Sequence, residues 1–216
     1  MKKYYIIIIM VAALGFSQTG YSQEADATGY IRTYAQPSGM LTFDWIVGIP
    51  MGAMSNDFIS ETSTRGFNME YRYFLNSPLS IGGGFSWQGY SEKYERSTYE
   101  TEGVAITSTR FNYLYLFPLY VNFHYYPIKN NHIFPFIGIN IGATSIDKQD
   151  QIGMYYIQDE SWHFNVQPEV GALFKINPRG TFGLIVKAKY NYITYNEGKL
   201  NDLSQLNLYF GASFDF

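Results

Sequence analysis

Apolar and polar residues alternate one for one through eight separate segments of this chain. The sixth segment has the clearest pattern, with Trp162, Phe164 and Val166 at even positions and His163 and Asn165 between them. Successive side chains of a β-strand point to opposite faces, so a two-residue period predicts strands with one apolar and one polar face. A chain built from eight such segments is predicted to be all-β.

Two kinds of connection alternate between the predicted strands. The strands cover about 41–49, 66–75, 79–90, 110–126, 133–143, 162–175, 181–192 and 203–216. Short turn-forming sequences lie at 76–78, 127–132 and 177–180, and longer polar segments lie at 50–65, 91–108, 147–161 and 196–202. Because the two kinds alternate strictly, an antiparallel up-and-down order places the turns at one end of the sheet and the loops at the other.

The bulk of the apolar face indicates which way it points. Aromatic residues make up 19% of the chain and charged residues 15%, against about 25% charged in soluble domains. A soluble, lipocalin-like barrel is the alternative, but eight strands enclose an interior just wide enough for side chains. This aromatic face is too large for that interior, and turned outward it matches a lipid-facing band. The chain is therefore predicted to form an eight-stranded antiparallel transmembrane β-barrel, closed so that every backbone group is paired.

Three prolines fall inside the predicted strands. Each strand of a closed barrel is paired on both sides, and proline has no N–H to donate. Pro118, Pro135 and Pro168 therefore predict bulges or positions near strand ends.

The first residues have the features of an export signal. Lys2 and Lys3 precede an apolar run that ends near Phe16 and is shorter than the roughly 20 residues of a spanning helix. Cleavage after Ser22 is expected, with cleavage after Ser17 as the second choice. The predicted organisation is a signal peptide at 1–22, an irregular lead-in at 23–39 and the barrel at 40–216. The chain has no cysteine, which excludes a lipoprotein anchor, disulfides and thiolate metal sites.

The chain ends on "YFGASFDF", in which Tyr209, Gly211, Phe214 and Phe216 hold distinctive positions. This ending resembles the C-terminal signal of bacterial outer-membrane barrels. In size and strand pattern, the mature chain resembles the small eight-stranded outer-membrane proteins of the OmpA-domain, OmpX and OmpW type. The resemblance implies a place in the outer membrane of a Gram-negative cell envelope, contact with its lipid, and recognition of the last strand by the barrel-assembly machinery.

Charged residues near the middle of several strands are expected to form one polar plug inside the barrel. Unpaired buried charges are costly, so these residues should pair with one another. The short turn at 76–78 sets Glu70 and Arg72 opposite small residues of the "GGG" run, and the turn at 177–180 sets Glu169 opposite Lys187 or Lys189. The predicted network contains Asp44, Glu70, Arg72, Glu169, Lys187 and Lys189. A satisfied core network is the main interpretation and a gated conduction path is the alternative.

Catalytic, cofactor and metal sites are not predicted. The three histidines have no zinc-like spacing. Some eight-stranded barrels that this chain resembles are enzymes that modify lipid A with Ser and His. Ser161 and His163 lie two apart at the loop end of the sixth strand, but their order departs from the His-x-Ser of the deacylases. His163 also shares the polar face, which points away from lipid.

A structural or surface-binding role, such as adhesion, is the leading functional hypothesis. The segment 91–108 carries charged residues among Tyr and Thr, which suit paired extension of the flanking strands and offer a surface to a ligand. The alternative is a channel for small hydrophobic compounds of the OmpW kind, to which Pro50, Met51, Met54, Phe58 and Ile59 could contribute. The methionines and the phenylalanine could equally pack on the barrel rim. The chain has a net charge of −3 and no basic cluster, so nucleic acid is not an expected partner. A monomer is expected.

Overall fold

The eight predicted strands form one closed antiparallel barrel in which each strand pairs with its neighbours in sequence and β1 pairs with β8. The computed structural model describes residues 38–76, 78–101, 104–128, 132–176, 181–195 and 203–216. The strands are β1 (Gly39–Met51), β2 (Gly66–Asn76), β3 (Leu79–Thr101), β4 (Val104–Tyr125), β5 (Ile133–Ile152), β6 (Tyr155–Lys175), β7 (Phe182–Ile193) and β8 (Leu203–Asp215). The predicted fold class is confirmed. The predicted signal peptide, the lead-in as far as residue 37 and the loop at 196–202 lie outside the described residues.

The orientation of the strands is the predicted one, with the apolar face outside. Trp162 is 57% exposed, Phe164 52% and Phe174 39%, whereas Glu169 and Lys187 on the polar face are buried. The same outward face carries Phe43, Phe67, Phe123, Leu184 and Phe210 on the other strands. Aromatic rings contact one another across this surface, as where Trp87 stacks between Phe67 and Tyr115. A face of this kind suits hydrocarbon and not water.

Four consecutive strands extend well past the others at the loop end. β3 to β6 have 20 to 23 residues each, and β1, β2, β7 and β8 have 11 to 13. The additional residues form a four-stranded extension, called the protruding sheet here, made of 91–101, 104–113, 147–152 and 155–161. The predicted extension of strands through 91–108 is confirmed.

The predicted loop at 147–161 is wrong. β5 and β6 stay paired up to Ile152 and Tyr155, and only Gly153 and Met154 connect them. Gly153 has φ 59°, a conformation that two-residue hairpin turns need and that glycine adopts without strain. A tight hairpin therefore replaces the expected loop.

The first loop folds into the mouth of the barrel. It contains the only helix among the described residues, α1 (Gly52–Asp57), and none of those residues belongs to a helix of membrane-spanning length and apolarity. Met54, Phe58 and Ile59 are buried against strand residues. An isolated bridge pairs Gly48 with Ser63, so that this loop continues the wall above the short strand β2.

The interior has three layers along the barrel axis. An apolar layer at the loop end contains the first-loop residues with Tyr90, Leu114, Leu116, Ile146, Ile193, Tyr195 and Leu203. A second apolar layer at the turn end contains Met40, Tyr126, Phe136, Leu173 and Ile185. Polar and charged side chains lie between them, as the sequence of inward residues on β7 demonstrates: Ile185, Lys187, Lys189, Asn191 and Ile193.

The predicted bulges are wrong for two of the three prolines. Pro118 and Pro168 lie in mid-strand without a register shift. Each is paired on one side, Pro118 with Thr144 and Pro168 with Ile139, while the ladder to the strand on the other side skips it. The missing N–H thus interrupts one ladder locally and does not change the register. Pro135 lies close to the start of β5, as predicted.

Candidate functional site

The structure brings the six charged residues of the predicted network together in the middle layer. β1 supplies Asp44, β2 supplies Glu70 and Arg72, β6 supplies Glu169, and β7 supplies Lys187 and Lys189. Their side chains are fully buried. Each faces inward because it lies on the polar side of an alternating strand. These six residues are called the ionic cluster below.

Glu70 contacts all three cations of the ionic cluster. Its Oε1 accepts a hydrogen bond from Arg72 Nε at 2.7 Å. Its Oε2 accepts from Lys187 Nζ at 2.6 Å and from Lys189 Nζ at 3.2 Å. A carboxylate with this many charge-assisted donors is held ionised in a single geometry.

The remaining members complete a balanced set. Arg72 reaches across the barrel to Glu169 at 2.8 Å, and Lys189 reaches the other oxygen of Glu169 at 3.1 Å. Lys187 also lies 3.0 Å from Asp44. Three carboxylates therefore meet three cations, and the formal charge of the cluster is zero. Buried charges are tolerated only when paired and hydrogen-bonded in this way.

Glycines on neighbouring strands make room for five of the six charged side chains. The register pairs Glu70 with Gly84 and Arg72 with Gly82, which confirms one of the two predicted registers. It also pairs Asp44 with Gly211, Glu169 with Gly138 and Lys187 with Gly171. Lys189 lies opposite Glu169, the second of the predicted pairings. A Cβ at Gly84 would approach the Tyr120 hydroxyl to 2.8 Å, so the space is already used by the network.

Several uncharged side chains join the cluster that the sequence did not single out. His124 Nε2 lies 2.8 Å from Glu169, Asn140 Nδ2 donates to Glu169 at 2.8 Å, and Arg72 donates to the Tyr126 hydroxyl at 3.0 Å. Tyr120 and Asn68 bond each other beside Glu70. These residues lie on inward positions of their strands, but only the closure of the barrel reveals which of them meet.

One subset of this network has the composition of a metal site. Ligand atoms of Glu70, His124 and Glu169 lie within 4.8 Å of one another. However, Arg72 already occupies both carboxylates, at 2.7 and 2.8 Å. Arg72 and Lys189 neutralise the two carboxylates, as a bound metal would otherwise do. The arrangement is therefore an internal salt bridge network.

The four residues of the predicted C-terminal signal divide between the two faces of β8. Tyr209 is buried within the barrel, and Gly211 lies opposite Asp44. Phe214 and Phe216 face outward. Backbone hydrogen bonds in both directions join Phe216 to Gly39, at 2.9 and 3.0 Å, so the last residue helps to close the ring against β1.

Ser161 and His163 form a hydrogen-bonded pair at the loop end. His163 Nε2 lies 2.8 Å from Ser161 Oγ, and His163 Nδ1 lies 2.8 Å from the Thr194 carbonyl oxygen. The carbonyl accepts, which fixes the proton on Nδ1 and leaves Nε2 to accept from the serine. The third group in line is a backbone carbonyl and not a carboxylate. The pair ties β6 to the residue that follows β7.

Side chains of the protruding sheet hold the first loop. Ser60 donates from both its backbone nitrogen and its hydroxyl to the Glu92 carboxylate. The Tyr94 hydroxyl donates to the Phe58 carbonyl oxygen at 2.6 Å, and Asn112 donates to the same oxygen at 2.9 Å. Burial raises the pKa of the Tyr94 phenol and the neighbouring Glu92 carboxylate raises it further, so the phenol stays a donor. The loop is therefore anchored over the apolar layer.

Comparison with known proteins identifies related architectures. The model of the outer membrane protein β-barrel domain matches residues 8–216. The structure of Ail, the attachment invasion locus protein of Yersinia pestis, is 14% identical, has a TM-score of 0.52, and covers 84% of this chain and 100% of its own. Ail in complex with the heparin analogue sucrose octasulfate has a TM-score of 0.50, with the same identity and coverage. Neisserial surface protein A is 14% identical, with a TM-score of 0.54 and coverage of 83% and 97%. A search of curated protein sequences found no match.

Proposed function

The chain belongs to the family of outer membrane protein β-barrel domains, and from this premise we propose that it is a surface-binding and structural barrel with a plugged interior. Its place is the outer membrane, with the protruding sheet on the extracellular side. The lipid-facing aromatic surface anchors it there. Binding is assigned to the protruding sheet, and the ionic cluster is assigned the structural part of the role.

The observation that carries the proposal is the length of β3 to β6. A strand tilted by about 45° crosses the membrane with roughly 9 to 11 residues. These four strands have 20 to 23 residues, so about a third to a half of each lies in the protruding sheet, beyond the lipid. Ordering that much backbone outside the membrane costs conformational entropy. A rigid surface that binds a partner is a function that explains why the protein bears this cost. The Ail complex with a heparin analogue gives a relative of the same fold with a bound ligand.

The plugged interior supports a binding role over a pore. The ionic cluster fills the middle layer with paired charges, and apolar layers cover it at both ends. Solutes would have to break several charge-assisted hydrogen bonds to pass. We therefore assign the cluster to stability and closure.

Removal of the protruding sheet tests the proposal. Two-residue turns would replace 93–111 and 149–158, leaving β3 to β6 paired as far as the barrel rim. We expect the shortened protein to keep the faster gel migration of an unboiled barrel, while attachment of expressing cells to immobilised matrix proteins and sulfated glycans is lost. Unchanged attachment would contradict the binding role. Full-length protein at matched surface density is the control.

A channel for small hydrophobic compounds is the second candidate. The apolar layer at the loop end favours it, because the seven buried side chains of this layer that lie outside the first loop are all apolar or aromatic. Met54, Phe58 and Ile59 occupy that space, so passage requires the first loop to leave it. Faster uptake of an apolar dye by cells expressing a variant with a shortened first loop, relative to the full-length protein, would favour the channel.

Export, assembly and state of association complete the proposal. We propose that residues 1–22 are a signal peptide and that the barrel-assembly machinery reads the ending formed by Tyr209, Gly211, Phe214 and Phe216. The protein acts as a monomer in outer-membrane lipid, without a cofactor. Ser161 and His163 have a structural role as the tie between β6 and the end of β7, and the protein is not an enzyme.

A further inference from the structure

A row of five amide side chains crosses the inner wall of the barrel from β4 to β8. The register pairs Asn122 with Asn140, Asn140 with Gln167, and Asn191 with Gln205. The register of β6 with β7 is the same before and after Gln167, which places Asn191 opposite it. None of the five is more than 1% exposed. These five residues, each beside the next on one face of the sheet, are called the amide row here.

The amide row joins two layers of the interior. Near its β4 end, Asn140 Nδ2 donates to Glu169 of the ionic cluster at 2.8 Å. At its β8 end, Gln205 Oε1 accepts from the hydroxyl of Tyr90, which belongs to the apolar layer at the loop end. Strands of a closed barrel are tilted, so a row that follows the register from strand to strand also climbs along the barrel axis. The row therefore runs obliquely from the ionic cluster to the loop-end layer.

Seven polar atoms of the amide row form no hydrogen bond to any described group. They are the side-chain nitrogens of Asn122, Gln167 and Gln205 and the side-chain oxygens of Asn122, Asn140, Gln167 and Asn191. A buried polar atom loses its bonds to solvent on folding, and without a new partner that loss is uncompensated. Seven such atoms would together cost a free energy comparable to the net stability of a whole domain. The row therefore needs a ligand that supplies hydrogen bonds.

The mixture of donors and acceptors identifies the ligand. A metal cation could use only the amide oxygens and an anion only the amide nitrogens, whereas both kinds of atom are without a partner. All five side chains are neutral and the adjacent ionic cluster has no net formal charge, so the charge of a bound ion would be buried without compensation. Water is neutral, donates and accepts, and binds in polar sites of this kind. Gly82 on β3, opposite Asn122, has no side chain and leaves room beside the row.

We propose that the amide row binds a line of buried water molecules that extends from the ionic cluster to the layer beneath the first loop. Each water bridges amides of neighbouring strands that do not bond one another directly. The site differs in chemistry from the ionic cluster, whose charged groups contact one another without an intermediary. The polar layer thus has one part held by direct salt bridges and another held by bridging water.

Solid-state NMR tests the proposal on the full-length protein in lipid bilayers. Magnetisation is transferred from water to isotope-labelled side-chain amides. We expect cross-peaks with water at Asn122 and Gln167, because their nitrogens have no described protein partner. Asn68 and Asn207 are equally buried controls whose nitrogens donate to Asp44 at 2.6 Å and to a glutamine at 3.1 Å, and they should give none. Absence of cross-peaks at Asn122 and Gln167, or equal intensity at all four amides, would overturn the proposal.

A pair of matched substitutions locates the water. Gln167→Met removes one amide from the middle of the row and keeps an unbranched side chain of similar length. It is expected to weaken the cross-peak at Asn122, because the bridging water loses a partner. Gln88→Met makes the same change in a buried pair outside the row, where Gln88 and Asn207 bond each other in both directions, and should leave the Asn122 cross-peak unchanged. Equal losses in the two variants would mean a general loosening of the interior and would refute the row as the site.

Discussion

Glu70 is the residue on which the ionic cluster most depends. It is the carboxylate that bonds Arg72, Lys187 and Lys189 together, and its side chain has no access to solvent. Removing one member of a buried ion pair costs about 3–5 kcal/mol, because the partner charge stays buried without compensation. The consequence can be tested because the cluster offers a compensating substitution.

Glu70→Gln keeps the shape of the side chain and removes its charge, leaving three cations with two carboxylates. We expect a loss of about 3–5 kcal/mol in the free energy of unfolding. The measurement is reversible urea unfolding in detergent micelles, followed by tryptophan fluorescence. Glu95→Gln, at an exposed position of β3, is the control and should change stability by less than about 0.5 kcal/mol.

The double variant E70Q/K189M restores the charge balance. The two pairs that remain are Arg72 with Glu169 at 2.8 Å and Lys187 with Asp44 at 3.0 Å. We therefore expect the double variant to be more stable than Glu70→Gln alone. A double variant that loses more than the sum of its single changes would show that the cluster is not held together by charge balance.

At the residue scale, alternation and turn position predicted much of the cluster and could not predict the rest. The short turn at 76–78 limits the register to two choices, and the structure has the one that sets Arg72 opposite Gly82. His124, by contrast, meets Glu169 from a strand 45 residues away. That contact crosses the barrel interior and depends on the diameter and stagger of the closed sheet, which no local pattern encodes. The contact of Glu169 with Arg72 was hidden for the same reason, whereas the pairing of Glu169 with Lys189 is one of the two that the turn at 177–180 predicts.

At the element scale, the hairpin of β5 and β6 illustrates how a strand can exist without a strand pattern. Residues 147–161 contain Asp, Lys, Gln and Gly and lack the apolar alternation of the membrane segments. Outside lipid neither face of a sheet needs to be apolar, so alternation is not required there. Pairing with the neighbouring strands keeps the segment extended, because β-propensity depends strongly on such context.

The turn of this hairpin is predicted to be the sensitive point of the element. Gly153 has φ 59°, and a Cβ there would lie 2.9 Å from Ser108 Oγ. Gly153→Val should therefore destabilise the hairpin by about 1–2 kcal/mol, the penalty for a side chain in the left-handed region. We expect faster hydrogen exchange of the amides at 147–161, with the exchange of the barrel strands unchanged.

Met154→Val is the matched control for the turn. Met154 is fully exposed and adjacent to the glycine. Its substitution should leave exchange of the hairpin unchanged. If the two substitutions accelerate hydrogen exchange of the hairpin equally, the backbone conformation of Gly153 does not limit the stability of the turn.

At the scale of the whole molecule, the barrel is a filled cylinder. Its middle layer is ionic and both end layers are apolar. Eight strands leave little space beyond their own side chains, and here large ones such as Arg72, Tyr209 and Phe136 occupy it. An ion that moved along the barrel axis would therefore have to pass an apolar layer, the paired charges of the ionic cluster and a second apolar layer.

Planar bilayer recordings are expected to detect no steady conductance of porin size. A variant lacking residues 52–62 should also stay closed, because the ionic cluster lies below the layer that this deletion opens. A steady open pore in the full-length protein would refute the plug. A pore in the shortened variant alone would place the seal in the first loop instead of in the cluster.

The architecture of the whole molecule was the most predictable part. Strand number, order and orientation follow from eight alternating segments and from an aromatic face too bulky to fit inside, as the exposure of Trp45, Phe123 and Phe210 bears out. The first loop was less predictable, because Met54 and Phe58 could have packed outside the barrel as well as within it. The loop is held in the barrel by the bond of Ser60 to Glu92 and by those of Tyr94 and Asn112 to the Phe58 carbonyl oxygen, all from strands distant in sequence.

The distribution of the ionic cluster over β1, β2, β6 and β7 links charge neutrality to completion of the ring. Arg72 and Glu169 are 97 positions apart, and Glu70 and Lys187 are 117 apart. A sheet that had not yet joined its first strand to its last would expose unmatched charges to acyl chains, where their burial is costly. These charges are shielded from lipid only when β1 has paired with β8. Insertion into the membrane and closure of the barrel are therefore energetically coupled.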